Sequence, residues 1–179
     1  MISPSRKIIT MLNDKDAFHG HFSNTPLVKY LPNRDPKSFP LIVKPKIGAN
    51  SEGCRLISNH VEYSDFKSKM SSDFITEEYL PGNTEYACHV VSNAGRILDH
   101  ITIEYSYSLP NPIKGKDSFS KRIIKEPFID VIEQFLKEIA YSGISCFNYK
   151  IRDGLPIIFE INPRIGGSFC EFFLAVIPE

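Results

Sequence analysis

The chain lacks most of the features that assign a class at a glance. It has no cysteine pair: Cys54, Cys88, Cys146 and Cys170 are widely spaced with no Cys-x-x-Cys among them, which argues against a zinc ribbon or a dithiol motif and leaves buried, reduced thiols. It has no excess charge. Lysine plus arginine equals aspartate plus glutamate at 21 each, so nothing attracts the chain globally to nucleic acid or to an anionic membrane, and any phosphate binding must be local. No stretch approaches the roughly 20 apolar residues that span a bilayer. The opening MISPSRKIITMLNDKD has no apolar signal core. These absences predict a cytoplasmic protein with neither nucleic acid nor membrane as partner. No internal repeat is visible, and no Ser, His, Asp trio at a recognisable spacing suggests a hydrolase.

What is present is enough apolar material for a core. With 179 residues, 42% of them hydrophobic and 12% aromatic, the chain suits one domain or two small lobes sharing a cleft. A short helix is expected from Asn13 to about Phe22, with Asn13 or Asp14 as its cap, followed by a loop through Pro26, Pro32, Pro36 and Pro40. Leu41 to Lys44 reads as a buried strand closed by Pro45. A loop of small residues, IGANSEG, comes next, then a short strand at 54–59 and a helix at 61–71. Three strands at about 73–80, 85–92 and 96–107, with turns at PGN and SNAG, suggest an antiparallel meander. LPNPIKGKDSFSK reads as a polar loop, and EPFIDVIEQFLKEIAYSG as the best helix, with Phe128, Ile132, Phe135, Leu136 and Ile139 at helical spacing. Among the histidines, His19 and His21 read as exposed near a helix end, and His89 as a packed strand residue.

The closing hairpin is the most informative segment. CFNYKI (146–151) and the run from Ile157 to Asn162 both alternate, with Phe147, Tyr149, Ile151, Ile157, Phe159 and Ile161 as the apolar set. A three-residue loop, Asp153 to Leu155, puts all six on one face and sets Asn148 opposite Glu160; a two-residue Asp-Gly loop mixes the faces, so the pattern favours the odd loop. Asn148, Glu160 and Asn162 then share a polar face with hard oxygen donors of the kind magnesium takes alongside waters and phosphate oxygens. Arg164 follows within reach of a phosphate.

The string FEINPR, after a strand and ahead of RIGGS, resembles the metal-binding signature of the ATP-grasp superfamily. The resemblance implies that Glu160 and Asn162 bind metal and Arg164 binds phosphate. Asn148 occupies the place of a preceding oxygen donor, as a neutral amide where the family commonly has a carboxylate. It implies further that Lys15, in NDK, and Lys44, in FPLIVKP, contact phosphates, and that IGANSEG closes over them through Ser51 and backbone amides. In ITEEYLPGNTEY the hinge is implied: Glu77, Glu78 and the backbone through Leu80 for adenine, Glu85 for the ribose.

The implied fold is α+β, an ATP-grasp fold with its nucleotide cleft between two lobes, residues 1–80 and 81–179, and an antiparallel sheet in the second. The implied cofactors are ATP and Mg2+, with Mn2+ an alternative. The implied reaction activates a carboxylate as an acylphosphate for attack by an amine or other nucleophile, with Lys44 and Arg164 sharing the developing charge. Both substrates are unknown. The chain begins almost at NDK and ends soon after the signature, so a truncated or split member is expected, with a separate acceptor-binding domain as a candidate partner. The alternatives are a non-catalytic nucleotide-binding module and a bicarbonate-activating domain like biotin carboxylase or carbamoyl phosphate synthetase.

Overall fold

The computed structural model describes residues 3–28, 38–49, 51–69, 71–109, 111–113, 117 and 119–170, the last without its side chain. Pro32 and Pro36 of the proline-rich loop, Asn50 of IGANSEG, the Cys170 thiol and parts of LPNPIKGKDSFSK lie outside the described residues.

The first expected helix is present as α2 (Lys15–His21), and a helix not expected from the sequence, α1 (Arg6–Asn13), precedes it. Asp14 separates them. Its backbone is extended, with φ −98° and ψ 110°, which ends α1, and its carboxylate accepts from Asp16 N at 2.9 Å and Ala17 N at 3.2 Å, which starts α2. The earlier helix is capped by Ser5, whose side chain accepts from Ile8 N.

A small antiparallel sheet follows, with β1 (Leu41–Pro45) central, β2 (Arg55–Ile57) on one side and β3 (Phe74–Glu78) on the other. The helix α3 (His60–Lys69) completes this unit, whose core is Leu41, Val43, Ile57 and Tyr63. The larger sheet holds β4 (Thr84–Asn93), β5 (Arg96–Tyr107), β6 (Phe119–Ile124), β7 (Gly143–Arg152) and β8 (Leu155–Asn162), all antiparallel, in the order β6-β5-β4-β7-β8. Strand β6 corrects the expectation of a loop through Lys121. It is an edge strand with no fully buried residue, so the hydrophobic alternation that marks a half-buried strand is faint.

One face of the large sheet carries the main core. Cys88, Val90, Phe147, Tyr149, Ile158 and Ile161 meet Ile132, Phe135 and Leu136 of α4 (Ile129–Glu138), and Leu12, Phe18 and Phe22 from the first two helices and the residue after them. Each such side chain contributes about 1.5–3 kcal/mol on burial. The two sheets part between Glu78 and Thr84, yet the N-terminal helices pack on the second one, and Val28 bridges to Ile158. A buried carboxylate ties this core together: Glu126 accepts from Thr102 Oγ1 at 2.6 Å, from the Tyr149 hydroxyl at 2.9 Å and from Phe128 N at 2.9 Å, at the start of α4.

The β7–β8 hairpin reaches its register by a different route from the expected one. Asp153 (φ 53°) and Gly154 (φ 76°) form a two-residue turn, so Arg152 faces Leu155. Tyr149 then faces Ile158, a bulge passes over Phe159, and Asn148 faces Glu160. The apolar set is corrected accordingly: Ile158, fully buried, belongs to the core, Phe159 turns to the opposite face, and Ile151 is exposed.

Gly95 is the position where backbone geometry is least forgiving. It has φ +82°, and a Cβ there would lie 2.5 Å from Lys137 Cα and 2.8 Å from Lys137 N, both backbone atoms at the end of α4. Gly95→Ala is therefore expected to lower unfolding free energy by about 2 kcal/mol or more, read from urea denaturation. A loss under about 0.5 kcal/mol would mean that α4 is not held against the β4–β5 turn as described.

Candidate functional site

The face of the large sheet opposite the core lines a cleft of about 400 Å³, closed on its other side by β1 and the loop after it. Strand β7 runs along its floor. Alternate residues share a face about 7 Å apart, so Cys146, Asn148, Lys150 and Arg152 form one row while Phe147 and Tyr149 enter the core. Each member of the row meets a different part of the molecule.

At Asn148 the row meets the signature strand. Asn148 Nδ2 donates to Glu160 Oε2 at 3.2 Å, and Lys15 Nζ lies 3.2 Å from Glu160 Oε1 while also donating to Gly48 O at 3.4 Å. A helix residue, a sheet pair and the small-residue loop thus converge on one point. Asn162 and Arg164 line the same cleft, as do Ser51, Glu85 and Lys44. Among the described residues no group of three or more His, Cys, Asp or Glu could cage a metal. The oxygen donors of Asn148, Glu160 and Asn162 fit a magnesium ion that keeps waters and takes its remaining ligands from phosphate, because this ion is usually bound through only one or two carboxylates.

Lys44 stands across the cleft, 4.8 Å above the Phe159 ring, which the bulge has turned toward it. Its ammonium donates to Glu77 Oε2 at 2.6 Å, and Glu77 Oε1 accepts from His19 Nε2 at 2.8 Å. All three side chains are buried. Burial opposes the charge on Lys44, but the Glu77 charge and hydrogen bond, with Glu160 beyond, outweigh it and raise its pKa. Burial likewise opposes the charge on Glu77, but Lys44 and the His19 hydrogen bond prevail and lower its pKa.

Eight of the residues singled out in the sequence therefore line the cleft: Lys15, Lys44, Ser51, Glu85, Asn148, Glu160, Asn162 and Arg164. Three do not. Glu77 is committed to Lys44 and His19, Glu78 pairs with Arg152 at 2.6 Å, and Leu80 is buried with its carbonyl accepting from Lys150 at 2.8 Å. His19, expected at the surface, is completely buried as the backing of Glu77. Two residues escaped the sequence reading. Lys150 could have been found as a lone cation in an apolar strand in step with Asn148. Ser168 could not, since its partner, the buried His89, with Nε2 2.7 Å from its Oγ, lies 79 residues away.

At the other end of the row, Cys146 lies 3.8 Å from His89 Nε2. The turn after Arg164 presses on both: a Cβ at Gly166 would come within 2.9 Å of Cys146 Sγ and of His89 Cε1. That turn leads into α5 (Gly167–Cys170), where Ser168 also lines the cleft.

An α+β fold with a cleft between an antiparallel three-stranded and a five-stranded sheet, and with Glu160, Asn162 and Arg164 on its wall, is that of an ATP-grasp domain. The family model for the ATP-grasp domain matches residues 12–168, and the chain belongs to this family. It is 23% identical over 146 residues to D-alanine–D-alanine ligase A of Bacillus cereus, covering 74% of this chain and 46% of that protein. The D-alanine–D-alanine ligase structure from Bacillus anthracis superposes with a TM-score of 0.64 at 20% identity, covering 89% of this chain and 59% of that one. The biotin carboxylase domain of Hydrogenobacter thermophilus 2-oxoglutarate carboxylase, in complex with MgADP and bicarbonate, superposes with a TM-score of 0.63 at 17% identity, covering 93% and 43% respectively. The chain thus spans about half the length of these relatives. Among the described residues no helix is long and apolar enough to cross a membrane.

The Glu77–Lys44 pair makes stability depend on pH in a defined way. The lowered Glu77 pKa contributes stability that is complete above its ordinary value of 4.5 and is lost as pH falls through the folded value. The raised Lys44 pKa contributes stability that is complete below 10.5 and is lost only as pH rises through its folded value. Glu77→Gln should therefore be less stable than the wild type by a constant amount through the neutral range, with the gap shrinking as pH drops below about 4.5. Urea melts at several pH values measure this; a gap unchanged at acid pH would show that the Glu77 charge is not what holds Lys44.

Proposed function

We propose that the chain binds Mg-ATP in this cleft and phosphorylates a carboxylate, so that an amine or another nucleophile can displace the phosphate from the resulting acylphosphate. The observation that carries this reading is the row on β7, which gives the cleft a polarity: linker contacts at Lys150, oxygen donors at Asn148, and the His89–Ser168 corner beside Cys146.

Adenine lies against the backbone that links β3 to β4, and Glu85, on the cleft wall, meets the ribose hydroxyls. Lys15 and Lys44 reach the phosphates from opposite sides, Lys15 from α2 and Lys44 from β1. Glu77 has no contact with nucleotide in this reading; it holds the Lys44 ammonium in place and charged, so that no reorganisation is needed when phosphate arrives. Ser51 and the amides of its loop cover the phosphates. Asn148, Glu160 and Asn162 would hold the magnesium, which would supply neutralisation of phosphate charge there. Arg164 shares the charge that develops there. Carboxylate and nucleophile meet at the Cys146 end. Rate enhancement comes from positioning and charge, and no side chain of the chain forms a covalent intermediate.

Bicarbonate is a second reading for the carboxylate, favoured by the structural neighbour that holds MgADP together with that anion. ADP release with bicarbonate as the sole acceptor distinguishes it.

Glu160→Ala is the direct test of the metal assignment. Its side chain is a quarter exposed, so the fold should persist, while Mg-ATP affinity by calorimetry falls by about tenfold or more. Unchanged affinity in magnesium would reject the site. Lys15→Met should weaken ATP more than AMP, because the lysine belongs to the phosphate end; equal weakening of both would remove it from that role.

A further inference from the structure

The buried ammonium of Lys150 has no part in phosphate chemistry as described, and its surroundings say what it does. The side chain is only 6% exposed and arises from β7 two residues beyond Asn148, on the cleft face. Nζ donates to Leu80 O at 2.8 Å and to Gly82 O at 3.0 Å, and lies 5.0 Å from the centroid of the Tyr79 ring. All three partners belong to residues 79–82, in the link between β3 and β4 where the chain passes from one sheet to the other.

Among the described residues the rest of that link is held at its two ends, where the Tyr79 hydroxyl donates to Pro112 O at 3.0 Å and Asn83 O accepts from Tyr107 N at 2.8 Å, which leaves the Leu80 and Gly82 carbonyls to Lys150. The link lies outside both ladders, Pro81 has no N–H, and Tyr79 N is used on Pro40 O. Gly82 has φ +110°, with nothing within 4 Å of where a Cβ would stand, so its peptide planes have room to turn. A buried ammonium is more costly than an apolar side chain unless its donors are used, and here two of three are spent on carbonyls that would otherwise be free to reorient. A methionine would fill the same space and leave both carbonyls unheld.

We propose that Lys150 is a specificity-determining positioning residue: by pinning the Leu80 and Gly82 carbonyls it fixes the donor and acceptor pattern that the link presents to a nucleobase, and so selects adenine over guanine. The inference rests on the nucleotide reading above. Adenine and guanine present opposite groups at the same edge of the ring, an amino donor in one and a carbonyl acceptor in the other. A link whose peptides are locked discriminates between them, whereas one whose peptides turn can accept either.

The test compares Mg-ATP and Mg-GTP binding by calorimetry to the wild-type chain, to Lys150→Met and to Lys150→Gln, the second serving if the first does not fold. The wild type should prefer ATP. The variants should lose about tenfold in ATP affinity and change by no more than about twofold for GTP, so that the preference collapses. AMP should weaken by the same factor as ATP, since the defect is at the base. Equal losses for ATP and GTP would show a merely structural lysine and overturn the proposal, as would variants that bind like the wild type or a wild type with no preference. A wild type that binds neither nucleotide would instead defeat the nucleotide reading itself.

Discussion

A two-residue turn and a hydrophobic stripe make conflicting demands on the last hairpin, and the bulge at Phe159 reconciles them. Counting back from the Asp153–Gly154 turn without interruption would set Asn148 against Phe159 and Phe147 against Glu160, placing a carboxylate on the core face beside fully buried rings. One extra residue restores Phe147 against Ile161 and Asn148 against Glu160. The same extra residue swings Phe159 to the cleft, where its ring lies under the Lys44 ammonium. The placement of Glu160 opposite Asn148 and of the Phe159 ring beneath Lys44 are thus both consequences of one inserted position on β8. Bulges bend a strand and re-aim its side chains, and here the re-aimed side chains are those of the site.

Three of the charged side chains on the cleft face, Lys44, Glu160 and Lys150, are answered within the chain. Lys44 is answered by Glu77, Glu160 by Lys15 and Asn148, and Lys150 by carbonyls. Among the described residues these contacts tie β1 to β3 and α2 to β8, and Lys150 ties β7 to the link between the two sheets. Glu160 in particular is held by the Lys15 ammonium at 3.2 Å, so in the proposed reading a metal at Glu160 would compete with Lys15 and leave that ammonium to phosphate. Arg152 of β7 and Glu78 of β3 add a pair between the two sheets at the end where the link runs.

Much of this was readable in the chain because it is local. The α+β class, the strand at Leu41, the long helix after Glu126 and the FEINPR signature each follow from periodicity or from a short string. The Asn148–Glu160 pairing was also readable, though for an incomplete reason: alternation demands an odd offset between the strands, and a bulge supplies that offset as well as a loop does. What was not readable depends on distant partners. Glu77 looks like any acid of a strand end until Lys44 and His19 close on it from 33 and 58 residues away. Strand β6 has no buried residue to mark it, and α1 was overlooked because Asp14, as its terminator, reads equally well as the start of a single helix.

The central claim is that a metal-bound nucleotide lies along β7 with its phosphates at Asn148 and Glu160. Paramagnetic broadening by manganese, added together with ATP, measures this position directly in an amide-resolved NMR spectrum. The account predicts that the Asn148 side-chain amide and the backbone amides of Glu160 and Ser51 broaden first, that the amides of Leu80, Gly82 and Asn83 broaden only at higher manganese, and that manganese alone at the same concentration does much less. Broadening centred anywhere else, or equal with and without ATP, would contradict it.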